Sequence, residues 1–194
     1  MAKSANLLVD SLGTPERVGL LLPLHRQTVA LLLAGVATGA TVVLADAPAE
    51  LAGCGAAFVL AEQSERALDA GVDDVLALSG HPLGAPAAAL PGLVLDYARE
   101  VPSYADHFGG PRPARWAIET AGGPVQPLTG LSPSDRLLTT LPPADAAGAA
   151  VLLGALRAGA GLVLLRDGDP AAVATAERVT CTAGVSVSGL TRQA

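Results

Sequence analysis

The chain has 194 residues, a formal net charge of -6 and a pI near 4.9, with 51% hydrophobic and only 3% aromatic residues. No basic surplus is available to neutralise phosphates, so nucleic acid is excluded as an expected partner. Lysine occurs once, at Lys3, which excludes a Walker-type phosphate loop and any mechanism built on a lysine in a pocket, leaving arginine to do whatever anion binding occurs.

With so few aromatics the core must be Ala, Val and Leu packed closely, which suits helices laid on a sheet. Cys54 and Cys181 stand far apart and match no metal-ligand spacing, so they read as reduced, buried small residues and no metal is expected. Residues 1–10 carry no apolar run of signal-peptide length, and the longest apolar stretch, Thr28 to Ala37, is about half of what a bilayer span requires. A cytoplasmic protein with no membrane association is the expectation.

In chain order, periodicity predicts a helix at Ala5 to Leu12 and a buried strand at Arg17 to Leu22 between Pro15 and Pro23. A helix follows from Arg26 to Thr38, stopped by Gly39, and then a β-branched strand at Thr41 to Leu44. Next come a short helix near Pro48 to Gly53, a strand at Ala56 to Leu60, a helix at Ser64 to Ala70 and a strand at Asp74 to Leu78. This alternation predicts a mostly parallel sheet. Residues 80–114, rich in proline and glycine, read as an irregular connector in which only Leu95 to Val101 looks helical. Trp116 to Glu119 reads as a strand and Thr120 to Pro133 as a loop.

The second ordered part repeats the first. Arg17-Val-Gly-Leu-Leu-Leu-Pro23 aligns with Arg136-Leu-Leu-Thr-Thr-Leu-Pro142, and Gly39-Ala-Thr-Val-Val-Leu44 with Gly159-Ala-Gly-Leu-Val-Leu164, each pair enclosing an Ala/Leu helix. A helix at Ala171 to Val179 and a strand at Val185 to Ser188 are predicted to follow. The expected fold class is therefore α/β, with two related βαβ-type subdomains, mostly parallel sheets and flanking helices. Residues 1–79 form the first subdomain, 80–114 the connector and 115–194 the second.

The stretch from Pro15 to Leu44 and the stretch Ser134-Asp-Arg-Leu-Leu-Thr-Thr-Leu-Pro142 together resemble the N-terminal region of the adenylate-forming superfamily, which includes acyl-CoA synthetases. The likeness is firm at residues 15–45 and 134–165, and closest to small actinobacterial-type proteins of unassigned function. Where that superfamily carries P-x-x-H-x-x-G, this chain reads Pro142-Pro-Ala-Asp145-Ala-Ala-Gly148, with Asp145 in place of the histidine that helps shape the acyl pocket. Where it carries a phosphate loop ending in Pro-Lys-Gly, this chain reads Glu119-Thr-Ala-Gly-Gly-Pro-Val-Gln-Pro-Leu-Thr-Gly130, without the lysine and with an acid positioned to repel a triphosphate. The ribose and adenine motifs and the lid with its catalytic lysine would lie beyond residue 194. The resemblance thus implies the synthetase fold without adenylation, no catalytic residues, and ATP or AMP as disfavoured cofactors.

Two functions follow as expectations. One is a binding or interaction module, a homo-oligomer or the partner of another protein. The other is residual binding of an acyl or nucleotide ligand near Gly122, Gly123, Asp145 and Gly148, where glycines could nest an anion. His25, followed by Arg26 at a helix start, could also bind an anion or stand simply as a solvated helix end. An enzyme using Asp145, Glu119 or His25 finds no constellation tight enough to name a reaction. Ser79-Gly-His81 reads as a loop, and Gly53-Cys-Gly55 as a chance likeness to a dinucleotide fingerprint. Arg166-Asp167-Gly-Asp169-Pro170 reads as a turn into a helix cap, with a metal or ribose site as its alternative, and Trp116 reads as core packing.

Overall fold

In the computed structural model, which describes residues 1–81, 83–110, 113 and 115–193, the chain forms two compact units. Met1–Leu22 with Gln27–Pro124 makes the first, and Pro23–Arg26 with Val125–Ala194 the second. No helix of the described residues is long and apolar enough to cross a membrane.

The first unit opens with helix α1 (Ala2–Asp10), strand β1 (Arg17–Leu21), helix α2 (Arg26–Thr38, its first residue counted with the second unit) and strand β2 (Thr41–Leu44). A 3-10 turn at Pro48–Leu51 leads to β3 (Ala56–Leu60), α3 (Ser64–Asp69) and β4 (Asp74–Leu78). β5 (Val94–Asp96), the short α4 (Tyr97–Glu100), β6 (Ala117–Thr120) and β7 (Gly123–Pro124) complete it. Its sheet has the order β5-β4-β3-β1-β2-β6-β7, parallel throughout except for the β6–β7 hairpin.

The second unit holds β8 (Arg136–Thr139), α5 (Ala146–Ala158), β9 (Gly161–Leu164), α6 (Pro170–Ala176), β10 (Cys181–Ala183) and β11 (Thr191–Arg192). Its parallel sheet runs β11-β10-β8-β9.

The repeat seen in the sequence extends to topology and register. The order β3-β1-β2 in one sheet is matched by β10-β8-β9 in the other. Arg17 pairs with Thr41 as Arg136 pairs with Gly161, and Val18 pairs with Ala56 as Leu137 pairs with Cys181. The central helices, α2 and α5, each have 13 residues. Both end on a left-handed glycine, Gly39 (φ 88°) or Gly159 (φ 70°). In each, the glycine N–H bonds the carbonyl three residues back (Val36, Leu156) and the next N–H bonds the one five back (Gly35, Ala155). This is the Schellman arrangement, which satisfies two carbonyls left over at a helix end and turns the chain into the next strand.

Each sheet buries both faces, as a parallel sheet must. On the first, Leu21, Ala57, Val59, Val75 and Ala77 pack with Leu51, Ala67 and Val72. On the opposite face lies Phe58, fully buried and edge-on to Tyr97 at 5.7 Å, and the Tyr97 hydroxyl bonds Ser4 of α1 at 2.9 Å. The second sheet divides its core in the same manner, Leu137, Val151, Ala155 and Cys181 on one face and Leu138, Leu165, Ala174 and Val179 on the other.

Three local expectations are corrected. Leu95 to Val101, expected as a helix, begins as β5, because Val94, Leu95 and Asp96 pair with Val75, Leu76 and Ala77. The expected strand at Val185–Ser188 is absent. Its place is taken by Cys181–Ala183, which pairs with β8 and ends at Gly184 (φ 76°), while Val185 and Val187 only pack against the core. The strand at Ala117–Thr120, grouped by sequence with the second part, joins the first sheet beside β2. Of the connector, Pro82, Pro111, Arg112 and Ala114 lie outside the described residues.

The polar face of α1 anchors residues 102–107 of that connector. Lys3 Nζ donates to the carbonyls of Pro102 (3.0 Å) and Tyr104 (2.6 Å) and lies 3.5 Å from Asp106. Asn6 donates to the carbonyls of Ala105 (3.0 Å) and His107 (2.8 Å). The one lysine of the chain is thus an anchor for a loop.

Candidate functional site

Gly122 and Gly123 belong to the first unit, where they help make a tight turn. Thr120 pairs with Gly123, so only Ala121 and Gly122 separate the two strands of the hairpin, and Gly123, the residue directly after that turn, has a positive φ (103°) that glycine adopts without strain. The Gly122 N–H is directed at Thr120 Oγ1, 3.3 Å away. Glu119, expected to repel a triphosphate, forms an ion pair with Arg17 at 3.0 Å. Cys54 stands close to that pair. Burial pushes its thiol up, with the Arg17 guanidinium opposing the rise and Glu119 adding to it.

Asp145 and Gly148 lie one turn apart at the start of α5, in the second unit. Asp145 is the exposed residue before the helix, its carbonyl accepting from Ala149 N–H at 2.8 Å and its side chain making no cap bond. A carboxylate at the positive end of a helix is stabilised there, and it opposes the approach of a second anion. Gly148 is buried against the chain just before the helix. A Cβ on it would stand 1.9 Å from the Pro142 carbonyl oxygen, so this glycine permits a close approach of backbone to backbone. Gly154 serves the same purpose, its virtual Cβ 2.4 Å from the Leu128 carbonyl oxygen, while the Leu128 N–H donates to Ala150 O at 2.9 Å. The segment after the hairpin is thereby fastened along α5.

Under the repeat, His25 and Asp145 occupy corresponding places, each directly before its 13-residue helix. One copy presents His25 and Arg26, the other an acid. His25 and Arg26 line a cleft of about 540 Å³ within the second unit, together with Leu24, Leu162, Leu164 and Arg166. In the sequence His25-Arg26 and Arg166-Asp167 stand far apart. No sequence signal joins them, since they follow strands of different sheets and only the folded chain brings them to one cleft.

Asp169 is the cap of α6, accepting from Ala171 N–H at 3.0 Å with Pro170 in the first turn, as the turn reading expected. Among the described residues no group of three or more His, Cys, Asp or Glu side chains could hold a metal. Asp135, one residue before β8, accepts from Ser132 N–H and Oγ (both 2.7 Å) and from Thr180 Oγ1 (3.2 Å), and these bonds hold its carboxyl below the usual value, burial opposing slightly. Because the folded value is lowered, its contribution to stability is present above the unfolded value near 3.8 and is lost as pH falls through the folded one. The advantage in melting temperature of the native chain over Asp135→Asn is therefore expected to shrink as pH is lowered below about 4, a constant difference down to pH 2 being the contrary result.

No family model matches the chain. A protein of Mycobacterium tuberculosis (strain ATCC 25618 / H37Rv), described as a TIGR03089 family protein, is 39% identical over an alignment of 185 positions that takes in 88% of this chain and 74% of the relative. The chain belongs to the TIGR03089 family. Solved structures similar to this family member include an acyl-CoA synthetase of Brucella canis (TM-score 0.70, 17% identity) and the amide bond synthetase McbA of Marinactinospora thermotolerans (TM-score 0.64, 22% identity). A putative long-chain-fatty-acid CoA ligase of Rhodopseudomonas palustris is also similar (TM-score 0.68, 20% identity). The first two comparisons cover 94% of this chain and the third 95%, but only 40%, 42% and 54% of the respective neighbours. The TIGR03089 chain therefore has the α/β fold of the N-terminal part of acyl-CoA synthetase-like proteins, over roughly half their length.

Proposed function

We propose that this chain is a non-catalytic protein on a synthetase-like fold, acting by binding a protein partner or a second copy of itself and forming no acyl adenylate. The observation that carries the proposal is the fate of the phosphate-loop segment. Glu119 is engaged by Arg17, a two-residue turn follows, and Lys3 is bonded to residues 102–106 of the same unit. Preorganised donors aimed at developing charge supply most of the acceleration of such a transfer, and this segment offers few. Carboxylate-dependent exchange of pyrophosphate into ATP is the test: none above a protein-free control is expected, and exchange that follows the protein concentration would refute the proposal.

Residual nucleotide or acyl-adenylate binding at Gly122, Gly123, Asp145 and Gly148 is the weaker reading. Gly148 has no free space and Asp145 places a carboxylate at the helix start. Self-association draws on the outer strand of the first sheet, where Leu93 is 82% exposed beside β5, an edge that can pair with another chain. A light-scattering mass of one chain at all concentrations would remove that part and leave the protein partner.

A further inference from the structure

The two sheets differ at one corresponding edge. In the first, the outer side of β2 carries β6 in parallel, Val42 opposite Ile118. In the second, β9 corresponds to β2, yet among the described residues it pairs only with β8 and ends the sheet. The strand itself carries none of the usual guards, and the segment Pro23–Arg26 of the same unit borders its cleft. All four residues of β9, Gly161-Leu-Val-Leu164, are apolar and half-buried, with no charge or proline to deter another strand. The cleft of about 540 Å³ opens beside it, with Leu24, Leu162 and Leu164 on its walls. At the carboxyl end of β9 the cleft is bordered by Arg26 and Arg166, neither of which belongs to any of the four ion pairs among the described residues.

We propose that the open edge of β9 takes an extended peptide strand from a partner protein, parallel to β9, with an aliphatic side chain in the cleft and a carboxylate two residues later held by Arg26 and Arg166. The pairing of β6 with β2 supplies the geometry. Side chains alternate along a strand, so the residue standing where Ile118 stands in β6 shares the face of Leu162 and Leu164, and the residue two further on reaches the end of β9 on that same face. Arginine forks bind carboxylates in two-bonded fashion, and Asp167, which also lines the cleft, opposes a run of acids. Main-chain bonds supply affinity and the side-chain pattern selects the partner. This rests on the interaction reading above for its class of partner, while loss of adenylation is tested separately by pyrophosphate exchange.

The probe is acetyl-Ala-Val-Ile-Thr-Glu with a free carboxyl end, titrated into the whole ¹⁵N-labelled chain and followed by amide shifts. Saturable shifts of residues 162–166 are expected, weakened at least fivefold in Arg166→Gln and by 0.5 M salt, and weakened likewise when the peptide is amidated with Gln in place of Glu. Arg66→Gln, in the first unit, should bind as the native chain does. Because Arg166 is exposed, its variant is expected to keep the native spectrum elsewhere. Absence of shifts, shifts indifferent to the carboxylates, or β9 amides already protected by a concentration-dependent dimer would each overturn the proposal.

Discussion

Gly148→Ala is expected to cost the second unit about 3 kcal/mol or more, although alanine is the better helix former by about 1 kcal/mol. The added methyl would lie 1.9 Å from the Pro142 carbonyl oxygen and 2.9 Å from its carbon, both backbone atoms, so no side chain can turn aside to admit it. Either α5 moves off β8 or the Pro142 turn is remade. Gly154→Ala is expected to do similar damage, since its methyl would meet the carbonyl oxygen of Leu128 at 2.4 Å. Gly122→Ala is the control. Its nearest neighbour is Thr120 Oγ1 at 3.6 Å, and a change within about 0.5 kcal/mol is expected. Urea unfolding followed by circular dichroism separates the three, and a Gly148→Ala chain as stable as the native one would refute the close packing.

Phe58→Ala is expected to cost the first unit about 3–5 kcal/mol. The chain has two phenylalanines, one tryptophan and two tyrosines, so few side chains can fill space on this scale. Phe58 is 0% exposed at the middle of β3, and its ring meets Tyr97 nearly at right angles (86°), an arrangement that adds to simple burial. Removing it also loosens Tyr97, whose hydroxyl is bonded to Ser4 and whose ionisation burial pushes up. Phe58→Leu, which keeps most of the volume, should cost less than half as much. Equal midpoints for the two variants in urea would show that the cavity is not what matters.

Much of the fold was legible because it rests on local signals. Pro23 and Gly39 punctuate the first βαβ, Pro142 and Gly159 the second, and the apolar runs between them left little choice of element. Pairing between distant segments was less legible. Nothing within Ala117–Thr120 says that it joins β2, and Leu95–Asp96 reads as helix until Val75–Ala77 is placed beside it. The candidate site illustrates the same limit. Gly148 reads as a ligand-site candidate through the resemblance, and its demand for close backbone packing has no signal in the sequence. Glu119 was read as repelling a phosphate, and its partner Arg17, about a hundred residues away, had no sequence signal beyond opposite charge. Arg26 and Arg166 were each visible, but only the folded chain puts them on one cleft.

In the proposed function, the β6–β7 hairpin cradles no triphosphate. Calorimetric titration of the chain with magnesium ATP, in moderate salt at neutral pH, tests it most directly. No saturable heat is expected up to millimolar nucleotide. Saturable binding that is abolished by Gly123→Val in the hairpin would contradict it.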